Sequence, residues 1–127
     1  MDARTTVTEY YDALRNGDPL GPYFAEEDDD DQFVKFGISE RLVGAEEIRD
    51  GLRRQTETTT GWSVTSNALR VCERDRYAWF SDQVSMGWID TEAATRYEFD
   101  TRWSGTLEAT AGDWQFVGMH VSRASRL

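Results

Sequence analysis

The stretch Gly112-Asp113-Trp114-Gln115-Phe116-Val117-Gly118-Met119-His120-Val121-Ser122 carries the only histidine of the chain, and its reading decides the last element of the fold. With the period of two of a strand, Trp114, Phe116, Gly118, His120 and Ser122 share one face, and Gln115, Val117, Met119 and Val121 share the other. Apolar residues on both faces predict a strand covered on both sides, with His120 at the polar end of an apolar surface. An imidazole in that place is either a satisfied structural group or part of a binding site.

Outward from this strand, a two-residue turn at Ala111-Gly112 makes the segment 96–109 its antiparallel partner and sets Trp103 across from His120. Tyr97, Phe99, Thr101, Trp103, Gly105 and Leu107 then share the face of Trp114, Phe116 and His120. In the strand 77–89 the apolar parity runs through Ala78, Phe80, Val84, Met86 and Trp88, and it carries Asp82 inward. A turn centred near residue 92 or 93 places Asp82 opposite Thr101 to Trp103. Asp82, Trp103 and His120 are therefore expected at similar height on three neighbouring strands, with the outer backbones about 10 Å apart. A further strand is read over 62–73.

The first half of the chain reads differently. Thr6-Val7-Thr8-Glu9 fits a capping box and predicts an amphipathic helix over 6–16, stopped by Asn16-Gly17-Asp18-Pro19. Leu20 to Ala25 suits one short helical turn, and the acidic run Glu26 to Asp31 a solvated loop. Gln32 to Ile38 reads as a strand with Arg41-Leu42-Val43 returning beside it. Residues 44–55 open with acids, close with arginines and place Ile48, Leu52 and Gln55 on one side, which predicts a second helix. Helices first and an antiparallel meander afterwards give an α+β class, with helices on one face of a curved sheet. At 127 residues the chain is expected to be one domain, spanning 1–127.

Composition narrows the function. Against 24 Asp and Glu stand 14 Lys and Arg, a net charge of −10, and Lys35 is the only lysine. No basic stripe is available to neutralise phosphates, which argues against nucleic acid and against an anionic membrane as partners. Acid-rich, lysine-poor composition around an ample aromatic core predicts a folded acidic protein of halophilic type, its self-repulsion screened by salt. Cys72 is alone, so no internal disulfide forms. With neither a signal-peptide pattern nor an apolar run of membrane-spanning length, a cytoplasmic location is expected.

Two residues stand out as candidate catalysts. His120 suits a general base or a ligand anchor, set against a structural imidazole bonded to backbone or to Ser122. Asp82, if inward, suits a general base or a partner for His120 or an arginine, set against a bulge that turns it outward. Tyr11, Phe36, Trp88, Trp103, Phe116 and Ser122 are candidate ligand-binding residues, with the aromatics either lining a cavity or simply filling the core. Asp28 to Asp31 lack the spacing and the glycine of a calcium loop, and no phosphate loop, zinc histidine pair or Ser/His/Asp spacing is present. Neither a metal nor a cofactor is expected.

Over essentially its whole length the chain resembles the nuclear transport factor 2-like superfamily, in its SnoaL-like branch, and the association domain of calcium/calmodulin-dependent kinase II. The resemblance rests on the helical pair Tyr10-Tyr11, the glycine-opened helix Gly44 to Leu52 and the turn Asp75 to Ala78. Its most diagnostic part is Arg102-Trp103-Ser104, a turn, Trp114-Gln115-Phe116-Val117 and then His120-Val121-Ser122. It implies a cone-shaped α+β fold, N-terminal helices packed on a strongly curved, mainly antiparallel sheet, a pocket between them, and dimers through the outer sheet face. Val117, Met119 and Val121 are the residues expected on that face, where a second copy would cover them.

The superfamily holds isomerases, cyclases, dehydratases, transport factors and kinase hubs, so the resemblance fixes no reaction. Relatives often carry an arginine where this chain has Gly105, and Tyr10 or Tyr11 with Asp82 match the steroid-isomerase pattern only loosely. Three readings follow. The first is a domain binding a small, partly apolar ligand between sheet and helices. The second is a cofactor-independent isomerase, cyclase or dehydratase using Asp82 and His120. The third is a non-catalytic homo-oligomerisation module.

Overall fold

The computed structural model describes residues 2–26 and 32–125, so Glu27 to Asp31 of the expected acidic loop lie outside the described residues. Helix α1 (Ala3–Asn16) starts a turn before the expected capping box. Asp2 is the cap, its carboxylate accepting the Thr5 amide at 2.8 Å. The extra turn is held by burial, since Ala3, Thr6 and Val7 all pack inside. Gly17, in the left-handed region, closes the helix. A short 3-10 turn (Gly21–Tyr23) leads to the hairpin of β1 (Val34–Phe36) and β2 (Arg41–Val43). Helix α2 (Ala45–Thr58) follows, with Glu46 and Glu47 in its first turn and Ala45, Ile48, Gly51 and Leu52 as its buried stripe.

The remaining strands are β3 (Thr59–Ser66), β4 (Arg70–Glu73), β5 (Tyr77–Asp90), β6 (Thr95–Thr110) and β7 (Asp113–Arg123). They form one sheet in the order β2-β1-β7-β6-β5-β3, with β4 pairing the first half of β5. All pairs are antiparallel except β1 with β7. The architecture is α+β, two helices packed on a curved, mostly antiparallel sheet, with Val7, Tyr10, Leu14, Ile48 and Leu52 of the helices meeting Phe80, Val84, Trp103 and Phe116 of the sheet in one core. Where one strand was expected over 62–73, two occur. The ladder with β5 is interrupted between them, opposite Asp82, although the Asn67 amide still donates to the Gln83 carbonyl at 2.9 Å.

Strands β5 and β6 pair without interruption, and Asp82 faces Trp103. Strand β7 departs from the expected register. Thr110 pairs with Asp113 and Leu107 with Phe116, as the turn dictates, but Thr106 then pairs with Gly118, leaving Val117 as an extra residue in a bulge. One inserted residue reverses the phase of everything beyond it. Trp103 therefore pairs with Val121, and Ser104 with His120. Met119 and Val121 turn inward and are buried, whereas His120 turns to the outer face and is exposed. The expected placement of Met119 and Val121 on a dimer surface, and of His120 on the inner face, is corrected by this bulge. At Gly105 a Cβ would lie 2.6 Å from the Gly118 carbonyl oxygen and 2.7 Å from Phe80 Cε1, so the crowded strands leave no room for the arginine that relatives often carry there. No helix among the described residues is long and apolar enough to cross a membrane.

Candidate functional site

Asp82 points inward on β5, as its parity requires, and is 4 % exposed. Three donors close around it. Tyr11 Oη donates to Oδ2 at 2.9 Å, Ser66 Oγ to the same oxygen at 2.6 Å, and the Ala68 amide to Oδ1 at 2.9 Å. These donors come from α1, from the end of β3 and from the step between β3 and β4. The carboxylate thus ties helix to sheet where the strand pairing is interrupted, and a buried charge so satisfied is a structural knot. Tyr11, expected at a ligand, is spent on this bond. Burial first, and the Asp82 bond second, hold its hydroxyl far above the ordinary tyrosine range.

His120 does not meet Asp82 across the inner face. It stands on the outer face beside Phe36, with ring centroids 5.4 Å apart, because β1 pairs in parallel with β7 and sets Phe36 next to His120. Ser122 is on the same outer face, across from Arg102. Phe116 is buried in the core against Phe24 and Phe80, at centroid distances of 5.3 and 5.7 Å. Of the expected site residues, Trp88 and Trp103 remain, and both line a cavity between the sheet and helix α2.

That cavity has a volume of about 500 Å³ and opens to solvent. Its aromatic wall is built from Trp62 stacked on Trp88 at 5.0 Å, with Tyr97 and Phe99 adjoining. Trp103 is fixed at the floor, its Nε1 donating to Thr101 Oγ1 at 2.9 Å while that hydroxyl donates to the Val84 carbonyl at 2.7 Å. Tyr10, Met119 and Val121 complete the inner surface.

One polar group enters this surface from β1. Alternation places Val34 and Phe36 outward and the lone lysine inward, where Lys35 is 4 % exposed. Its Nζ donates to Glu40 Oε1 at 3.0 Å. Both residues line the cavity with Tyr10. Burial, and secondarily the charge of Glu40, push the Tyr10 hydroxyl above the ordinary tyrosine range, so it stays a neutral donor at physiological pH. An ammonium, a hydroxyl and a carboxylate on an aromatic surface can orient an oxygen-bearing ligand or exchange a proton with it. Among the described residues no group of three or more His, Cys, Asp or Glu is placed to hold a metal ion.

Sequence reasoning missed Lys35 and Glu40 as cavity residues, as well as Met119 and Val121, and it weighed a pocket-facing hydroxyl for Tyr10 or Tyr11 without choosing Tyr10. The signal for Lys35 was present, since a single lysine at the centre of a short apolar strand is a charge that must go to one face or the other. Its face depended on the phase of β7, which the bulge resets.

The chain belongs to the SnoaL-like domain family, whose model matches residues 3–125. Among solved structures it is similar to a candidate dehydratase of the nuclear transport factor 2-like family from Streptomyces avermitilis, with a TM-score of 0.82 at 13 % identity over 97 % of this chain and 94 % of that one. It is also similar to a ketosteroid isomerase-like protein from Erwinia carotovora atroseptica, with a TM-score of 0.75 at 16 % identity over 97 % and 94 %. A third likeness is to a candidate calcium/calmodulin-dependent protein kinase II association domain from Xanthomonas campestris, with a TM-score of 0.76 at 16 % identity over 100 % and 91 %. At these identities the likeness is one of fold. No curated protein matches the chain.

Proposed function

We propose that the protein binds a small, partly apolar ligand in the cavity between the sheet and helix α2, with Trp62, Trp88 and Trp103 as its flat walls and Lys35, Glu40 and Tyr10 as its polar end. The observation that carries this reading is the cavity itself. A volume of about 500 Å³ with aromatic walls and a few convergent polar groups is the usual form of a small-molecule site. An isomerase, cyclase or dehydratase built on Asp82 and His120 finds no support, because the one carboxylate is occupied by three donors and the histidine is on the opposite face. Proton-transfer chemistry, where it occurs, belongs to Tyr10, Lys35 and Glu40. The neutral probe 2-acetonaphthone should quench tryptophan fluorescence saturably, and Gln55→Trp, which fills the mouth from helix α2, should abolish the effect. Quenching that never saturates, or that survives this substitution, would rule the cavity out.

A second reading concerns assembly. The outer face carries Tyr77, Trp79 and Phe36 at 56 %, 49 % and 38 % exposure, and these replace Met119 and Val121 as the surface that a second copy would cover. Sedimentation should give a dimer that Trp79→Glu converts to monomer. A dimer unaffected by that charge would place the contact elsewhere.

A further inference from the structure

The polar end of the cavity is built in a way that stability alone does not explain. Lys35 pairs across the sheet with Leu42 and Met119, two buried apolar residues, so an apolar side chain at this position would pack without a desolvation penalty. The chain instead buries its only lysine there. An ammonium has three donors, and among the described residues Lys35 uses one, on Glu40.

Glu40 is a loose counter-ion. Its side chain is 39 % exposed and comes from the β1–β2 connection, folding back over Gly37 so that Oε1 lies 2.9 Å from where a Gly37 Cβ would sit. The other charges around the cavity point the same way. Asp90 is already engaged by the backbone amides of Glu92 and Ala93, at 2.9 and 3.1 Å. Arg54, exposed at the cavity, makes no side-chain hydrogen bond or ion pair among the described residues. Within a protein of net charge −10, this cavity therefore offers two cations with donors to spare, against two acids that each already have one oxygen engaged.

Resting on the reading of the cavity as a ligand site, we propose that its ligand is a flat, mostly apolar molecule bearing one carboxylate. The carboxylate takes the spare donors of Lys35 and the hydroxyl of Tyr10, which has no hydrogen-bond partner among the described residues, while Glu40 swings aside. The ring system packs between Trp103 and the Trp62–Trp88 wall. Arg54 stands outside as a guide for the incoming anion against the repulsion of the acidic surface.

Two matched probes test this, naphthalene-2-carboxylate and naphthalene-2-carboxamide, which share shape and differ in charge. Fluorescence titration at one ionic strength should give the acid a Kd at least tenfold lower than the amide. Lys35→Met should erase that preference, weakening the acid at least tenfold relative to the amide so that the two Kd values converge. Glu40→Gln, at a half-exposed position where folding is not at stake, should tighten acid binding several-fold by removing the competing carboxylate. Equal binding of the two probes to the unaltered protein, a preference that persists in Lys35→Met, or acid binding unchanged or weakened in Glu40→Gln would each overturn the anion assignment while leaving the cavity as a site. Failure of both probes to bind would overturn the assignment together with the ligand reading beneath it.

Discussion

Among the described residues two charged side chains, Asp82 and Lys35, are buried on the inner face of this sheet, and they are buried differently. Asp82 is surrounded by Tyr11, Ser66 and the Ala68 amide, whose three donors engage both of its oxygens. Lys35 has, among the described residues, a single partner on a surface connection, with open cavity beside it. A saturated buried charge fixes a structure, whereas an unsaturated one facing a cavity is available to a ligand. The contrast reverses the expectation from sequence, in which the aspartate was the candidate for chemistry and the lysine was not considered.

The largest effect should come from the aspartate. Asp82→Ala leaves a tyrosine hydroxyl, a serine hydroxyl and a backbone amide without an acceptor, and should cost about 3 kcal/mol in urea unfolding. A loss below about 1 kcal/mol would mean that the carboxylate is not a knot.

A smaller effect is expected for Tyr11→Phe, about 1–2 kcal/mol at neutral pH for one bond to a charged acceptor. The same variant alters the alkaline limb. Tyr10 and Tyr11 have folded pKa values raised above the ordinary value of 10.0, so their contribution is complete below that pH. Above it the unfolded chain loses protons that the folded chain keeps, and stability falls as pH rises. Tyr11→Phe should make that fall shallower, seen as a flatter dependence of the urea midpoint between pH 9 and pH 11. An unchanged slope would show that Tyr11 ionises in the fold as freely as out of it.

The smallest effect on stability should be that of Lys35→Met. Replacing one member of a half-exposed pair with an apolar side chain of similar length should change unfolding by less than about 1 kcal/mol in either direction. A loss as large as that of Asp82→Ala would erase the contrast and make Lys35 a second structural knot.

Much of the fold could be read from the chain because its signals were local. The turn at residues 91–94 set the β5–β6 register, the alternation of Ala78, Phe80, Val84 and Met86 carried Asp82 inward, and the acids of α2 marked its start, whereas the helix runs past the expected stop at residue 55 to Thr58 with no basic residue in its last turn. The site was less legible. Strand β7 has apolar residues at both parities, Trp114 and Phe116 on one and Val117, Met119 and Val121 on the other, so a shift of phase at Val117 leaves no trace in the pattern. The helix start was misplaced for a similar reason, since Asp2 and Thr6 are both competent caps and only the burial of Ala3 chooses between them.

Sequence alone determined the class of fold, the long β5–β6 ladder and the inward aspartate, because turn chemistry and strand periodicity act over a few residues. It also determined that one lysine would stand apart from thirteen arginines. Tertiary structure decided which face each end of β7 presents, and through the parallel pairing of β1 with β7 it decided that Lys35 looks into the cavity while Phe36 and His120 look out. Those choices depend on a single extra residue accommodated between two crowded strands, where a Cβ on Gly105 would lie only 2.6 Å from the Gly118 carbonyl oxygen. Such steric accommodation belongs to the assembled sheet and is carried by no one segment of the chain.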